Sequence, residues 1–279
     1  KHDGVGDLFG FVLAAKPLHQ RKPEFQRSAG AARGDDVAIF HDLFPGQSLR
    51  QLVLHGEVGG VAFVGKQTGI DMPRETSATL PSRDWKKERY KREWLPGDTV
   101  NAGIGQGYFL VSPVQLAYAT AVLAADGKLI PPRLAAKIGN EPTRPADDTI
   151  SRIEKHEPAH WQQVIEGMLL VTEGQRGTAK RIRNKHYRIA GKTGTAQVIS
   201  MKQNEVYDET KLSREKHDHA LFMAFAPVED PQIAVAVIVE NGGHGGATAA
   251  PVAHKVMDAW FGVEPEEPEQ RLAQEESDE

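Results

Sequence analysis

The stretch Ala190-Gly191-Lys192-Thr193-Gly194-Thr195-Ala196-Gln197 concentrates the residue types most able to do chemistry. A Gly-Lys-Thr triplet first raises a phosphate-binding loop. That loop needs a glycine five residues before Gly191, and the position holds His186. The triplet also lies inside a strand-like run, predicted from about Tyr187 to Ile199, and not between a strand and a helix. In a strand, alternate side chains share a face, so Thr193 and Thr195 present two hydroxyls on one side. Lys192 adds a positive charge beside them. Two hydroxyls and an ammonium group on one strand suit a carboxylate. Gly194 carries no side chain, so an extended ligand backbone can lie close to the strand. These four residues alone equally describe an ordinary edge strand with a glycine, so the elements around them decide.

Those elements read as follows. Gly65 to Pro73 is a turn with a proline stop. A charged stretch from Arg83 to Arg92 is interleaved with Trp85 and Tyr90 and followed by Trp94. It reads as a solvated face, and the tryptophans, including Trp161 and Trp260, read as core or groove packing. Ser112-Pro113 starts an Ala-rich helix running to about Ala125 and stopped by Asp126-Gly127. A second helix is predicted over Pro158 to Glu173 from the helical spacing of Trp161, Val164, Ile165, Met168 and Leu169. Two apolar runs, 220–227 and 232–240, joined at Glu229-Asp230-Pro231, predict a hairpin. Asn241 to Gly246 reads as a flexible loop, and 249–261 as a closing helix. The sum is an α+β chain, with helices flanking one antiparallel sheet.

Composition excludes several classes. With 39% apolar residues the 279-residue chain can build a core. The net charge of −4 argues neither for nor against a polyanionic partner, but the lack of a basic stripe and of aromatic-basic interleaving argues against nucleic acid. No apolar run reaches the roughly 18 residues that span a bilayer. Lys1-His2-Asp3-Gly4 does not start a signal peptide, so the chain as written shows no export signal or transmembrane segment. Cysteine is absent, which removes disulfides and thiol nucleophiles. His217-Asp218-His219 lacks further nearby ligands and is read as surface rather than metal site. His244 lies in the glycine loop and is likewise read as surface.

Word by word, 65–261 resembles the class B penicillin-binding proteins, peptidoglycan transpeptidases of the penicillin-binding protein 2 type. The matching words are Thr68-Gly69-Ile70-Asp71, Gly103-Ile104-Gly105-Gln106-Gly107, Ser112-Pro113-x-Gln115, Asp126-Gly127, Gly177-Thr178-Ala179, Lys192 to Gln197 and Phe225-Ala226-Pro227. They follow the family's order over about two hundred residues. The paired tryptophans between Arg83 and Gly97 resemble the rod-shape, or elongation, type. The resemblance implies the C-terminal part of a penicillin-binding and serine β-lactamase-type fold. It implies that Lys192, Thr193, Gly194, Thr195 and Gln197 meet a stem peptide ending in D-Ala-D-Ala, or a β-lactam. It makes the N–H of Thr195 one donor of an oxyanion hole, the nucleophile's own N–H being the other. It implies no cofactor, and membrane proteins of the elongation complex as possible partners. For the intact family protein it implies the periplasmic face of the inner membrane.

Two family motifs are missing. No serine upstream of Lys192 has a lysine three places on, and no Ser-x-Asn occurs. Ser213-Arg214-Glu215-Lys216 fits the first formally, but it follows Lys192 within a charged insertion. Ser82-Arg83-Asp84 fits a Ser-x-Asp formally, but lies downstream of the family's position. Residues 1–64 carry no persistent period and no family word. Leu54-His55-Gly56-Glu57-Val58 can be encoded so that reading one base later gives Phe-Met-Val-Lys, which resembles the family at that place. The expectation is that 1–64 is at least partly a wrong-frame or disordered segment, poorly packed on the rest, with a divergent true domain as the alternative. Residues 65–262 form the family part, and 263–279 an acidic, disordered tail. The chain reads as an inactive relative of the transpeptidases. Two alternatives stay open: a D,D-carboxypeptidase or β-lactamase of the same fold, or a non-enzymatic fragment that binds partners.

Overall fold

The computed structural model describes residues 8–14, 65–103, 105–143, 150–153, 158–199 and 212–264. Four strands form one antiparallel sheet. They are β1 (Leu8–Ala14), β4 (Ala190–Ala196), β5 (His219–Ala226) and β6 (Ile233–Val239), in the spatial order β1-β6-β5-β4. A small ribbon pairs β2 (Lys137–Ile138) with β3 (Glu141–Pro142). The helices are α1 (Arg83–Tyr90), α2 (Pro96–Gly103), α3 (Pro113–Ala124), α4 (Pro158–Glu173) and α5 (Gly245–Phe261).

β5 and β6 read as near-continuous apolar runs because both of their faces are covered. Helix α5 packs over β5, β6 and β4, while α3 and α4 pack on β6 and β4. On the α5 face, Phe222, Ala224, Val235, Val237, Ala249, Ala253 and Met257 form one core. On the other, Phe225 and Ala234 meet Tyr118, Val122, Trp161 and Met168. Tyr187 leads into β4, and its hydroxyl donates to Asp258 on α5 at 2.5 Å, tying the strand's entry to the helix.

Several family words prove architectural. Ser112 and Gln115 make a reciprocal capping box at the start of α3. The Gln115 amide, fully buried, also donates to the Lys66 carbonyl at 2.6 Å and the Ser77 carbonyl at 3.0 Å. It thereby pins the chain on both sides of the Thr-Gly-Ile-Asp turn to α3. Within that turn Thr68 donates through its N–H and its hydroxyl to Glu75, both at 2.6 Å. The Asp71 carboxylate accepts from the N–H groups of Leu134 and Ala135.

The structure departs from the sequence reading in five places. Strand β1 lies within 1–64, where no strand is predicted. Its run Leu8-Phe9-Gly10-Phe11-Val12-Leu13-Ala14 lacks the alternation that pattern reading seeks, and the β6 edge offers it a complete ladder. Val37–Phe40, Leu52–Leu54 and the tail beyond Glu264 lie outside the described residues. Helix α5 starts at Gly245, not near 249. Its interior Pro251 removes the N–H that would bond the Ala247 carbonyl, and Arg181 approaches that carbonyl at 3.5 Å. Strand β4 is shorter than predicted and ends at Ala196. The charged 83–92 stretch is a helix with one buried member, since Lys86 is only 4% exposed and pairs with Asp98. Trp260 is about half exposed and belongs to no core.

Two measurements check these anchors. Gln115→Leu strands two inward-facing carbonyls without a donor, and each is expected to cost about 1–3 kcal/mol. Denaturant unfolding reads this directly, and an unchanged midpoint would remove Gln115 as an anchor. The Asp71 carboxyl is held below the usual range by the Leu134 and Ala135 N–H groups. Its folded pKa is the lower one, so this contribution is complete above the unfolded value of about 3.9. It is lost as pH falls through the folded value. The Leu134 and Ala135 amide resonances are expected to titrate with a midpoint below about 3.9; a midpoint above it contradicts the assignment.

Candidate active site

Among the described residues strand β4 is an edge of the sheet with one side unpaired, and its residues set the site. Gly194 opposes Leu221 and Thr195 opposes Ala220 in the β4–β5 register. The Thr195 carbonyl accepts from Gln106 Nε2 at 3.0 Å, and the Thr193 carbonyl from Lys192 Nζ at 3.1 Å. Both carbonyls therefore turn away from β5. In an antiparallel strand the N–H and C=O of one residue point the same way. The Thr195 N–H thus faces the free edge as well, available to a ligand approaching there.

The side chains follow the same alternation. Thr193 and Thr195 oppose Phe222 and Ala220, which face the α5 core. Thr193 Oγ1 lies 3.0 Å from Thr178 Oγ1, which links it to the Gly177-Thr178-Ala179 word. Thr195 is exposed. Lys192 leaves the strand on the opposite face and curls to the edge to reach the Thr193 carbonyl. Gln197 lies past the end of β4 and is exposed.

The start of α5 presses against this strand. A Cβ on Gly245 would fall 2.2 Å from the Leu221 carbonyl and 2.6 Å from that of Gly194. A Cβ on Gly246 would fall 2.1 Å from the Thr178 carbonyl. Only glycine permits this approach. It brings the positive end of a 17-residue helix to the Thr193–Thr195 face. Ammonium, hydroxyls, outward N–H and helix terminus together favour a bound carboxylate.

Gln106 is a site member that residue typing overlooks, although it lies within a family word. It sits between Gly105 at φ +73° and Gly107 at φ +77°. These left-handed glycines turn the chain sharply after α2, and the Gln106 N–H bonds back to the Asn101 carbonyl at 2.8 Å. The side chain is thereby carried across to β4. Thr178 was overlooked in the same way.

Other residues singled out in the sequence lie elsewhere. Ser213 is exposed ahead of a short 3-10 turn, Arg214–Lys216, so it does not start a buried helix. Ser82 caps α1 by accepting from the Trp85 N–H at 3.0 Å. His219 Nδ1 accepts from the Asn241 N–H, and the Asp218 carbonyl from the Gly243 N–H, both at 2.9 Å. These contacts hold the β6–α5 connection to β5. His244 is the N-cap residue of α5, with an exposed side chain. Among the described residues no group of three or more His, Asp and Glu could hold a metal ion.

Gln106→Ala is expected to shift the Thr195 and Ala196 amide resonances while moving stability by no more than about 1.5 kcal/mol, the net worth of one hydrogen bond. An unchanged spectrum over 193–197 would show that the bond does not form.

Comparison with known proteins shows which family the chain resembles. The family described as the penicillin-binding protein transpeptidase domain matches residues 61–258. The peptidoglycan D,D-transpeptidase MrdA of Haemophilus influenzae is 44% identical over 200 residues, covering 71% of this chain and 31% of that protein. Its counterpart in Acinetobacter baumannii is 42% identical over 199 residues, covering 71% and 29%. The chain thus spans about a third of the length of these relatives. Among solved structures, PBP2 of Pseudomonas aeruginosa in complex with WCK 5153 superposes with a TM-score of 0.64 at 41% identity, covering 80% of this chain and 46% of that one. PBP2 of Helicobacter pylori, solved in complex with MreC, gives 0.62 at 29% identity, covering 82% and 39%. The chain therefore belongs to the penicillin-binding protein transpeptidase domain family, and over this part it is of the class B, PBP2 type.

Proposed function

We propose that the described fold is the carboxylate-binding half of a peptidoglycan D,D-transpeptidase site. In the intact enzyme a serine attacks the penultimate D-Ala carbonyl, terminal D-Ala leaves, and the acyl group passes to an amine on a neighbouring stem peptide. The outward backbone of Thr195 on a free sheet edge, beside Lys192 and Thr193, is the observation that carries this reading. Lys192, Thr193 and Thr195 hold the terminal carboxylate, the Thr195 N–H polarises the scissile carbonyl, and Gly194 lets the peptide lie against the strand. Gln197 extends the same surface beyond the strand. The natural ligands are stem peptides and β-lactams, and the chemistry uses no organic cofactor. The Helicobacter pylori relative was solved with MreC, and we place the intact protein likewise among elongation-complex partners, at the periplasmic face of the inner membrane. No helix among the described residues is long and apolar enough to cross a membrane.

These 279 residues lack a serine with a lysine three places on ahead of Lys192. We propose that as they stand they bind the ligand without forming an acyl-enzyme. Acylation needs a serine activated by an adjacent base. The absence of that pair favours partner or ligand binding as the residual role. A hydrogen bond to a charged group contributes about 1.5–3 kcal/mol, so a half-site binds weakly and reversibly. Intact-mass spectrometry after incubation with penicillin is expected to show no adduct. A stoichiometric mass increase on any serine, Ser213 included, would overturn the inactive reading. An acyl-D-Ala-D-Ala peptide is expected to shift the Thr193, Gly194 and Thr195 amides, and no shift there would remove the site.

A further inference from the structure

A cleft of about 280 Å³ opens beside the β4 edge, lined by Pro81, Trp94, Asp98, Asn101, Gln106 and Tyr108. It is contiguous with the site just described. Gln106 forms part of its wall and donates to the Thr195 carbonyl at 3.0 Å. The residues come from four places in the chain, with Asp98 and Asn101 on α2 itself. Pro81 precedes α1, Trp94 lies between α1 and α2, and the glycine-flanked turn after α2 supplies Gln106 and Tyr108.

The charge state of the wall limits what can enter. Among the described residues Asp98 is the one charged residue lining the cleft, and its Oδ2 accepts from both the Lys86 ammonium and the Leu95 N–H. Lys86 is buried behind the wall, with its ammonium 5.7 Å from the Tyr108 ring centroid. The carboxylate is thus already neutralised. A cationic ligand gains little from it, and the ammonium that neutralises it is buried and offers an anionic ligand nothing. A neutral ligand is favoured.

Lining chemistry narrows the class further. Among the described residues Asp98 Oδ1 has no donor, and the Asn101 side chain is exposed and makes no hydrogen bond. Trp94 directs its indole N–H to Thr99 Oγ1 at 2.6 Å, and Tyr108 packs against Trp85 and Tyr90 with ring centroids 5.3 and 5.1 Å away. Both rings are held in place before any ligand arrives. Fixed aromatic surface with a free carboxylate oxygen and a free amide suits a ring that has apolar C–H faces and hydroxyl or acetamido edges. The volume lies just below the roughly 300–1,000 Å³ of small-ligand sites, so it takes a single such ring.

We propose that this cleft is a saccharide subsite that takes one neutral N-acetylated sugar ring of the glycan strand while the peptide site on β4 is used. The proposal rests on the peptidoglycan reading for the identity of the polymer. Asp98 Oδ1 accepts from a ring hydroxyl, and Asn101 engages a hydroxyl or the acetamido group. Gln106, bonded to Thr195, couples occupancy of the cleft to the backbone that faces the peptide.

The test uses the whole chain labelled with nitrogen-15, with di-N-acetylchitobiose as probe. The Trp94 indole signal, assigned with Trp94→Phe, is expected to shift saturably, and the Thr195 amide to move with it. Asn101→Ala removes an exposed side chain, and the β5 and β6 amides report whether its fold is kept. It is expected to weaken the probe about fivefold, the effect of one lost hydrogen bond. Lysine amide, a cationic probe, is expected to give no saturable shift at Trp94. No saturable shift with the disaccharide, equal binding by a folded Asn101→Ala, or preference for the cationic probe would each overturn the subsite. An acyl-D-Ala-D-Ala peptide separates the two levels. If it shifts Thr193–Thr195 while the disaccharide fails, the cleft proposal falls and the peptide site stands. If the disaccharide binds and the peptide does not, the cleft's sugar preference stands and the peptide site falls.

Discussion

Gly194 opposes Leu221 between β4 and β5, and a slip of one residue would exchange every face and every edge of β4. Thr193 and Thr195 would then bond their backbone groups to β5, and the Lys192 side chain would point into the α5 core. The register is fixed because β5 is buried on both sides, with Phe222 and Ala224 in one core and Phe225 in the other. Hydrophobic burial of strands that never touch a ligand therefore decides which groups of β4 meet one.

Two elements then close on the edge that the register leaves open, and a third, α3, packs on β6 and β5 away from it. Gly245 and Gly246 let the α5 terminus touch β4 and the Thr178 carbonyl. The left-handed turn at Gly105 and Gly107 delivers Gln106 from the other side. Gln115 holds α3 and the Thr-Gly-Ile-Asp turn as one piece through its buried amide. In each case a glycine or a buried amide solves a backbone problem, and the ligand-facing residues benefit from the rigidity.

The words of the family resemblance accordingly divide by physical role. Lys192 to Thr195 face the candidate site directly. Gln106 and Thr178 touch it through one hydrogen bond each. Thr68, Asp71, Ser112 and Gln115 are architecture, whose polar side chains satisfy backbone groups such as the Ile70 N–H, the Ala135 N–H and the Lys66 carbonyl.

Local pattern alone determined much of this molecule. The helical spacing of Trp161, Val164, Ile165, Met168 and Leu169 located α4 at Pro158–Glu173, and the two apolar runs located the β5–β6 hairpin. Alternation placed Thr193 and Thr195 on one face, because side-chain direction in a strand is a property of the chain itself. Tertiary structure decided what sequence-distant groups must settle together. The helical state of Gly245 and Gly246 arises from contact with β4 and Thr178, since glycine has no helical preference of its own. The burial of Lys86 depends on Asp98, twelve residues away. The pairing of β1 depends on a vacant β6 edge more than two hundred residues downstream. The link between Gln106 and Thr195 spans 89 residues. Periodicity records only the environment of neighbours in the chain, so none of these four could be read from it.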